Sequence, residues 1–578
     1  MSTYDLAVVG GTLVDGSGLP RRRADVMVKD GKVAAVGFAE SGTADRTVDA
    51  TGLCVAPGIV DPHTHYDAQL LWDPAASPSN LHGVTTVIGG NCGFTIAPLS
   101  PNDDDADYLR RMMARVEGMP LGALEAGLDW EWRSFAEYLA RFEGNLGVNA
   151  GFLVGHCAIR HYVMGDAALE RDATPDEMAA MVLELKRSLA AGGLGFSTTR
   201  SPTHSDVENR PVASRVGPDS EVIELCRAVG EYPGTTLEAI VEGCNYGFSD
   251  LEIDTLIAMS AAARRPINWN VLTVDSKARE RAMRQLEPSR RSAAAGARVV
   301  ALTMPTLVPM NMSLRNFCAI HQLPKWSTVF NLPIPERIEK LRDPSVRSWL
   351  LAQSKLPEAG VFARLADFGN YVVGDTFSEA NAGRKGRVVA DIAREQGKEP
   401  FDMFVEIGLN DELKTVWWPT PTDDDAASWE LRRQIWETDG TLIGGSDAGA
   451  HLDRMCGSQY TTAFLADTLR GRKLLSVERA VQLITDAPAR LFGLRGRGRI
   501  AEGWQADLVL LDPATVDAQQ AYLAHDLPAG ALRLKAEATG IERVFVNGVE
   551  TVRAGATSGN LPGIVLRSGR DTDTVATA

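Results

Sequence analysis

The absences in this sequence narrow its class first. No apolar run approaches the length needed to cross a bilayer. The opening MSTYDLAVVGG has no basic segment followed by an apolar one, so no secretory leader is expected. Positive charge is outweighed: 59 Lys and Arg against 75 Asp and Glu leave a net charge of −16. That balance repels nucleic acid and anionic membranes, leaving a small molecule as the expected partner, with a homo-oligomer possible. The cysteines are few, odd in number at seven, and widely spaced, which argues against a disulfide framework and for a reducing cytoplasm. Histidine is scarce too, with nine in 578 residues, so every histidine cluster carries information. One acidic run, NDDDAD at 102–107, reads as a solvated loop.

The length suggests one large domain with one or two smaller ones. Both ends are β-rich. ADVMVKDGKVAAVG reads as a hairpin around Asp30-Gly31, and IERVFVNGVETVRAG as another around Asn547-Gly548. Neither end has enough strands to bury a core alone, so residues 1–57 and 488–578 are expected to meet in one small β-sandwich. Between them, residues 58–487 alternate short apolar strands with helical stretches, the pattern of a parallel α/β fold. The candidate strands are GIVDPHTH, VTTVIGGNC, NAGFLVGH, GLGFSTTR, TTLEAIV, PINWNVL, RVVALTM and GTLIGGSDAG. Eight such strands would close a (β/α)8, TIM-like barrel, in which catalytic groups sit at the C-terminal strand ends. Almost every one of these segments starts apolar and carries His, Cys, Ser, Glu, Asn or Asp toward its end. Residues of about 305–435 have helical periodicity and form an expected insertion between the seventh and eighth strands.

The chemistry gathers at those ends. His63 and His65 are two apart, so both side chains share one face of a strand, and imidazole is the commonest zinc ligand. Asp447, at the end of the last strand, could touch a metal and take a proton from a water, or merely cap the next helix. Cys92 lies between Gly90 and Gly93 on the same rim and offers a thiolate, while the other six cysteines read as inert buried thiols. His156, His204 and His451 fall at or just beyond strand ends, as spare ligands or substrate contacts. Arg200, Arg160 and Arg454 could clamp a carboxylate, although surface arginine is the plain reading. Tyr66, Trp72, Trp417 and Trp418 are read equally as core packing and as walls or a lid for a substrate.

Taken together, PGIVDPHTHYDAQLLWDP, GNCGFTIAPL, GLGFSTTR, GGSDAGAH and AEGWQADLVLLDP resemble the metal-dependent amidohydrolase superfamily, and within it the D-aminoacylase (N-acyl-D-amino-acid deacylase) branch. The resemblance runs over nearly the whole chain. It implies a barrel with a β-sandwich, zinc, and hydrolysis of an N-acyl bond. It also implies that Cys92 stands for the carboxylated lysine that bridges two metals in hydantoinase-like relatives. There is one departure. The family supplies a histidine from each of the fifth and sixth strands, and here Glu238 and Asn270 stand roughly at those places. Glu238 could bind the metal or orient a water, and Asn270 could hydrogen-bond a substrate.

The expected site is therefore His63, His65, Cys92 and Asp447, with one or two zinc ions and one favoured. The expected activity is attack of a metal-activated water on an amide carbonyl, with Asp447 moving the proton to the leaving nitrogen. Cleavage of a cyclic amide, lactone or carbamate, a decarboxylation, and a metal-poor binding protein stand as alternatives.

Overall fold

The computed structural model describes residues 3–40 and 42–577, so the outermost residues of both end segments lie outside the description. The chain divides into two units, one running through Val308 and resuming at Trp429, the other Pro309–Ser428.

In the first unit, the Asp30-Gly31 and Asn547-Gly548 pairs take up left-handed backbone, with φ of 48° and 74° in one and 48° and 79° in the other. That is what a two-residue hairpin turn requires, and each joins antiparallel strands. The first hairpin belongs to a four-stranded sheet in the order Lys32–Gly37, Asp25–Lys29, Tyr4–Val9, Ala44–Asp49. The second belongs to a seven-stranded sheet in which Leu508–Leu511 lies between Ile541–Val546 and Cys54–Pro57, so strands from the two ends of the chain pair directly. One apolar cluster includes Leu6, Val26 and Val48 from the first sheet and Leu13, Leu508 and Phe545 from the second.

The middle of this unit holds eight parallel strands, one in each segment picked from the sequence: β1 Ile59–Asp61, β2 Val84–Gly89, β3 Asn149–Phe152 continuing as Val154–Gly155, β4 Gly195–Thr199, β5 Thr236–Ile240, β6 Ile267–Trp269, β7 Val299–Thr303 and β8 Thr441–Ile443. They pair in chain order, as a three-stranded sheet of β1 to β3 and a six-stranded sheet from the second piece of β3 to β8. The break is at Leu153, whose N–H bonds back to Gly89. Past β1, the N–H of Thr64 bonds to Ile88 and that of His65 to Ala448, so the turn after β1 is held to the end of β2 and to the chain beyond β8. The strands are almost wholly buried, as expected for parallel strands covered on both faces.

The connecting helices start where the sequence stops them from starting elsewhere. Thr174 and Glu177 form a reciprocal cap before Pro175–Ala190, and Ser249 and Glu252 do so before Asp250–Ala263. The first of these helices buries Met181, Leu185 and Leu189, a single stripe at four-residue spacing. The acidic run at 102–107 is not a loop. Asn102 caps a helix over Asp103–Val116, where acidic side chains favour the positive end of the helix dipole.

The second unit has its own aromatic core, with Trp326, Phe368, Phe401, Phe404 and Trp417 packed together. Its helices include Ile334–Arg342, Pro344–Gln353, Val389–Gln396 and Pro400–Asn410, and Tyr371–Val373 pairs antiparallel with Trp417–Pro419. Trp417 is fully buried there, 4.2 Å from Phe404 between ring centres, so it is a packing residue and not a lid. Among the described residues all seven cysteines are free and buried, and no helix is long and apolar enough to cross a membrane.

Candidate metal centre

The turn after β1 is built to face two imidazoles the same way. Thr64 points elsewhere, its hydroxyl donating to Ile88, while the His63 and His65 rings lie buried 5.3 Å apart between centres. Asp61 accepts the His63 N–H at 3.4 Å and the Ser446 hydroxyl at 2.6 Å, which ties this turn to the residue before Asp447.

Cys92 sits in the short turn Asn91–Gly93 after β2, with φ of 56°. The glycines around it are required. A Cβ on Gly90 would lie 2.2 Å from the Leu153 carbonyl, and one on Gly93 would lie 3.1 Å from Thr198 Cα, both at positive φ. The turn brings Cys92 Sγ to 3.5 Å from His63 Nε2. Asp447, with φ of 52°, places Oδ1 3.2 Å from His63 Nε2 and 3.9 Å from His65 Nε2. The next helix starts only at Tyr460, so Asp447 caps none. Its side chain is 19% exposed, against 0% for His63 and 2% for His65, so it is the member of this group that a substrate can reach.

The donors of His63, His65 and Cys92 lie within 4.8 Å of one another and are all buried. Two imidazole nitrogens and a sulfur are a zinc-like set, and Nε2 of each ring is the nitrogen turned toward Asp447. The residues present therefore fit a metal. The field around them is divided. Burial opposes charge on His63, but its hydrogen bond and charge contact with Asp447 win and raise its pKa. Burial and the neighbouring His63 hold His65 well below the ordinary histidine value. Burial also works against the Asp447 carboxylate, yet the His63 hydrogen bond and the nearby imidazoles hold it at about 2. Burial, with Glu238 and other acids, pushes the Cys92 thiol well up. A bound cation reverses that last effect, because a coordinating thiol is deprotonated.

The fifth and sixth strands do supply neighbours. Glu238 Oε2 accepts the Cys92 N–H at 2.6 Å, and its Oε1 is 3.9 Å from the sulfur. Burial pushes Glu238 up to about 7, with His63 and the Cys92 N–H pulling the other way. Asn270 donates to Asp447 Oδ1 at 2.9 Å, so its amide is engaged by the aspartate.

Other expected contacts fall outside the cluster. His156 directly follows the second piece of β3 and begins a helix. Its Nδ1 pairs with Thr198 at 2.9 Å and its Nε2 with Glu221 at 3.0 Å, which leaves no lone pair for a metal. Arg160 is buried and joins the same Glu221 at 2.8 Å. Arg200 bonds the Ser214 and Gly217 carbonyls and Asp219, so it is a structural clasp and not a substrate clamp. His204 is half-buried with Nδ1 on Thr199 at 2.8 Å, and desolvation followed by His451 lowers it to about 3. His451 pairs with Arg454 at 3.3 Å, and burial and that arginine lower it to about 4. Both feel the Asp447 charge, so they border the site. Tyr66 is buried on Ser79, and Trp72 packs half-buried on the core. One residue the motifs did not flag is present: Glu117, buried, with Oε1 3.5 Å from His65 Nδ1.

Comparison with known proteins finds relatives over nearly the whole chain. The D-aminoacylase of Alcaligenes xylosoxydans xylosoxydans is 29% identical over 97% of both chains, and the N-acyl-D-aspartate deacylase of the same organism is 28% identical over 98% of this chain and 95% of its own. A solved D-aminoacylase structure, described as a study of its binuclear metal centre with one-metal activation and second-metal attenuation, is 26% identical, covers 98% of this chain and 100% of its own, and superposes with a TM-score of 0.63. The model of the amidohydrolase family matches residues 46–557. With that match over most of its length, the chain belongs to the amidohydrolase family.

Proposed function

We propose that this protein is a zinc-dependent hydrolase of an amide C–N bond, with an N-acyl amino acid, most closely an N-acyl-D-amino acid, as substrate. The observation that carries the reading is the convergence of His63, His65, Cys92 and Asp447 from three distant segments onto one buried point. The names of its relatives supply the substrate class. The eight parallel strands are read as one closed barrel. The end strands are read as one sandwich beside it, and the chain as cytoplasmic.

His63, His65 and Cys92 would hold the ion. Zinc supplies Lewis acidity toward the carbonyl and lowers the pKa of water. Asp447 does the proton work. Held ionised by His63, it takes the proton of the attacking water and delivers it to the departing nitrogen. Asn270 fixes the carboxylate for that transfer, and Glu238 fixes the Cys92 turn. One ion per chain is favoured, because Glu238 and Asn270 are committed to Cys92 and Asp447.

The test is metal content of the purified chain, followed by chelation, zinc restoration and a panel of N-acyl-D- and N-acyl-L-amino acids. The expected result is about one zinc per chain and hydrolysis that disappears and returns with it. A chain that holds no metal and hydrolyses nothing overturns the reading. Glu238 and Asn270, at places where the family pattern has histidines, favour one second reading: cleavage of a cyclic amide, lactone or carbamate. Turnover of those compounds with none of the N-acyl amino acids selects it.

A further inference from the structure

Glu117 has no part in the chemistry above, yet it touches both halves of the site. It follows the helix Asp103–Val116, in the long excursion between β2 and β3, and is buried. Its Oε1 stands 3.5 Å from His65 Nδ1, a nitrogen without a hydrogen-bond partner. Its carbonyl accepts the N–H of His451, four residues beyond Asp447. Gly118, at φ of 60°, lets the turn press closer still: a Cβ there would lie 2.9 Å from the Arg454 guanidinium and 3.1 Å from Asp453. One turn thus meets a histidine of the β1 motif through its side chain and the Asp447 loop through its backbone.

The chemistry of imidazole gives this placement a role. A ring nitrogen that donates its lone pair to a metal leaves the other nitrogen carrying hydrogen. His65 Nε2 faces Asp447, so Nδ1–H is the end that faces Glu117. We infer that Glu117 is the positioning residue of this centre: its carboxylate takes the His65 Nδ1–H and holds Nε2 toward the ion, while its carbonyl holds the loop that carries Asp447. The inference rests on the zinc reading above. Glu117 touches no substrate and moves no proton in the reaction.

The test uses the full chain as wild type, E117D, E117Q and E117A. Zinc affinity is measured by competition with a chromophoric chelator, unfolding of the metal-free protein by urea, and the His65 ring by nitrogen NMR of selectively labelled protein, with H65N for assignment. The expected result for E117A is zinc binding weakened about 10- to 100-fold, the usual effect of losing an outer-shell partner. E117Q, which keeps an acceptor but not the charge, falls between, and E117D restores part of the affinity. The His65 Nδ1–H signal of the zinc-loaded chain moves in E117Q and E117A. The fall in kcat exceeds any change in KM, and the urea midpoint of metal-free E117Q stays at the wild-type value. If E117A does not fold, E117Q decides. Wild-type zinc affinity and an unmoved His65 signal in E117Q overturn the inference while leaving the proposed function standing. A wild-type chain that takes up no zinc overturns both.

Discussion

Two buried histidine clusters lie at the strand ends of the first unit, and they differ in what their nitrogens do. At His156, each ring nitrogen has a partner, Thr198 on one side and Glu221 on the other, and Arg160 neutralises the glutamate. At His63 and His65, Nδ1 of each ring has no hydrogen-bond partner, a thiol lies 3.5 Å from one Nε2, and a carboxylate faces both. Burial is the same in the two places. The first cluster is closed and holds structure together; the second is open and has donors for an ion. In the second, Nε2 of both rings faces Asp447 and that of His63 also faces the thiol, an arrangement an ion can take up.

The comparison is broken most forcefully at Asp447. D447N removes the proton carrier while keeping the shape, and kcat should fall about 1,000-fold with the fold intact, as steady-state kinetics and far-UV circular dichroism together would show. The matching change in the closed cluster should do the reverse. E221L leaves Arg160 buried without its carboxylate, and stability should fall by about 3–5 kcal/mol in urea titration. The surviving folded protein should hold zinc as before.

A third histidine site sharpens the contrast through pH. His82 is buried with both nitrogens engaged, on Thr462 and the Ala536 carbonyl, and burial lowers it to about 4. A folded-state pKa below the unfolded one means that the unfolded chain takes up the proton first as pH falls. Its contribution is full above about pH 6.5 and is lost as pH falls toward about 4, a total of about 3 kcal/mol. In H82Q the urea midpoint should lose that part of its pH slope; an unchanged slope would contradict the assignment. The smallest expected effect is at Asn270. N270A removes one hydrogen bond to a charged group, about 1.5 kcal/mol, so kcat should drop about tenfold with zinc content unchanged.

Residue type and spacing made half of this comparison legible. The two-residue step from His63 to His65, the glycines around Cys92 and the position of Asp447 after an apolar strand all point to geometry that a parallel α/β fold imposes. The same reasoning could not separate His156 from a ligand. What removes it is Glu221, 65 residues further on, which periodicity does not connect to it. Glu117 escaped for a similar reason. It reaches His65 through the excursion after β2, and RVEGMP matches no ligand spacing. Asp61 and Ser446 lie inside the motifs at the ends of β1 and β8, but their bond joins residues 385 apart. The partners of Arg200 are mainly backbone carbonyls, which a sequence does not display.

The pairing of Cys54–Pro57 with Leu508–Leu511 has a consequence for synthesis. The strand that leads into β1 emerges from the ribosome roughly 450 residues before its partner, which at about 5–20 residues per second is a wait of roughly 20–90 seconds. During that time its edge is an open template, next to the turn that will carry His63 and His65. Chains halted before Leu508 should therefore associate through that edge, and the last stretch of translation should end their tendency to aggregate.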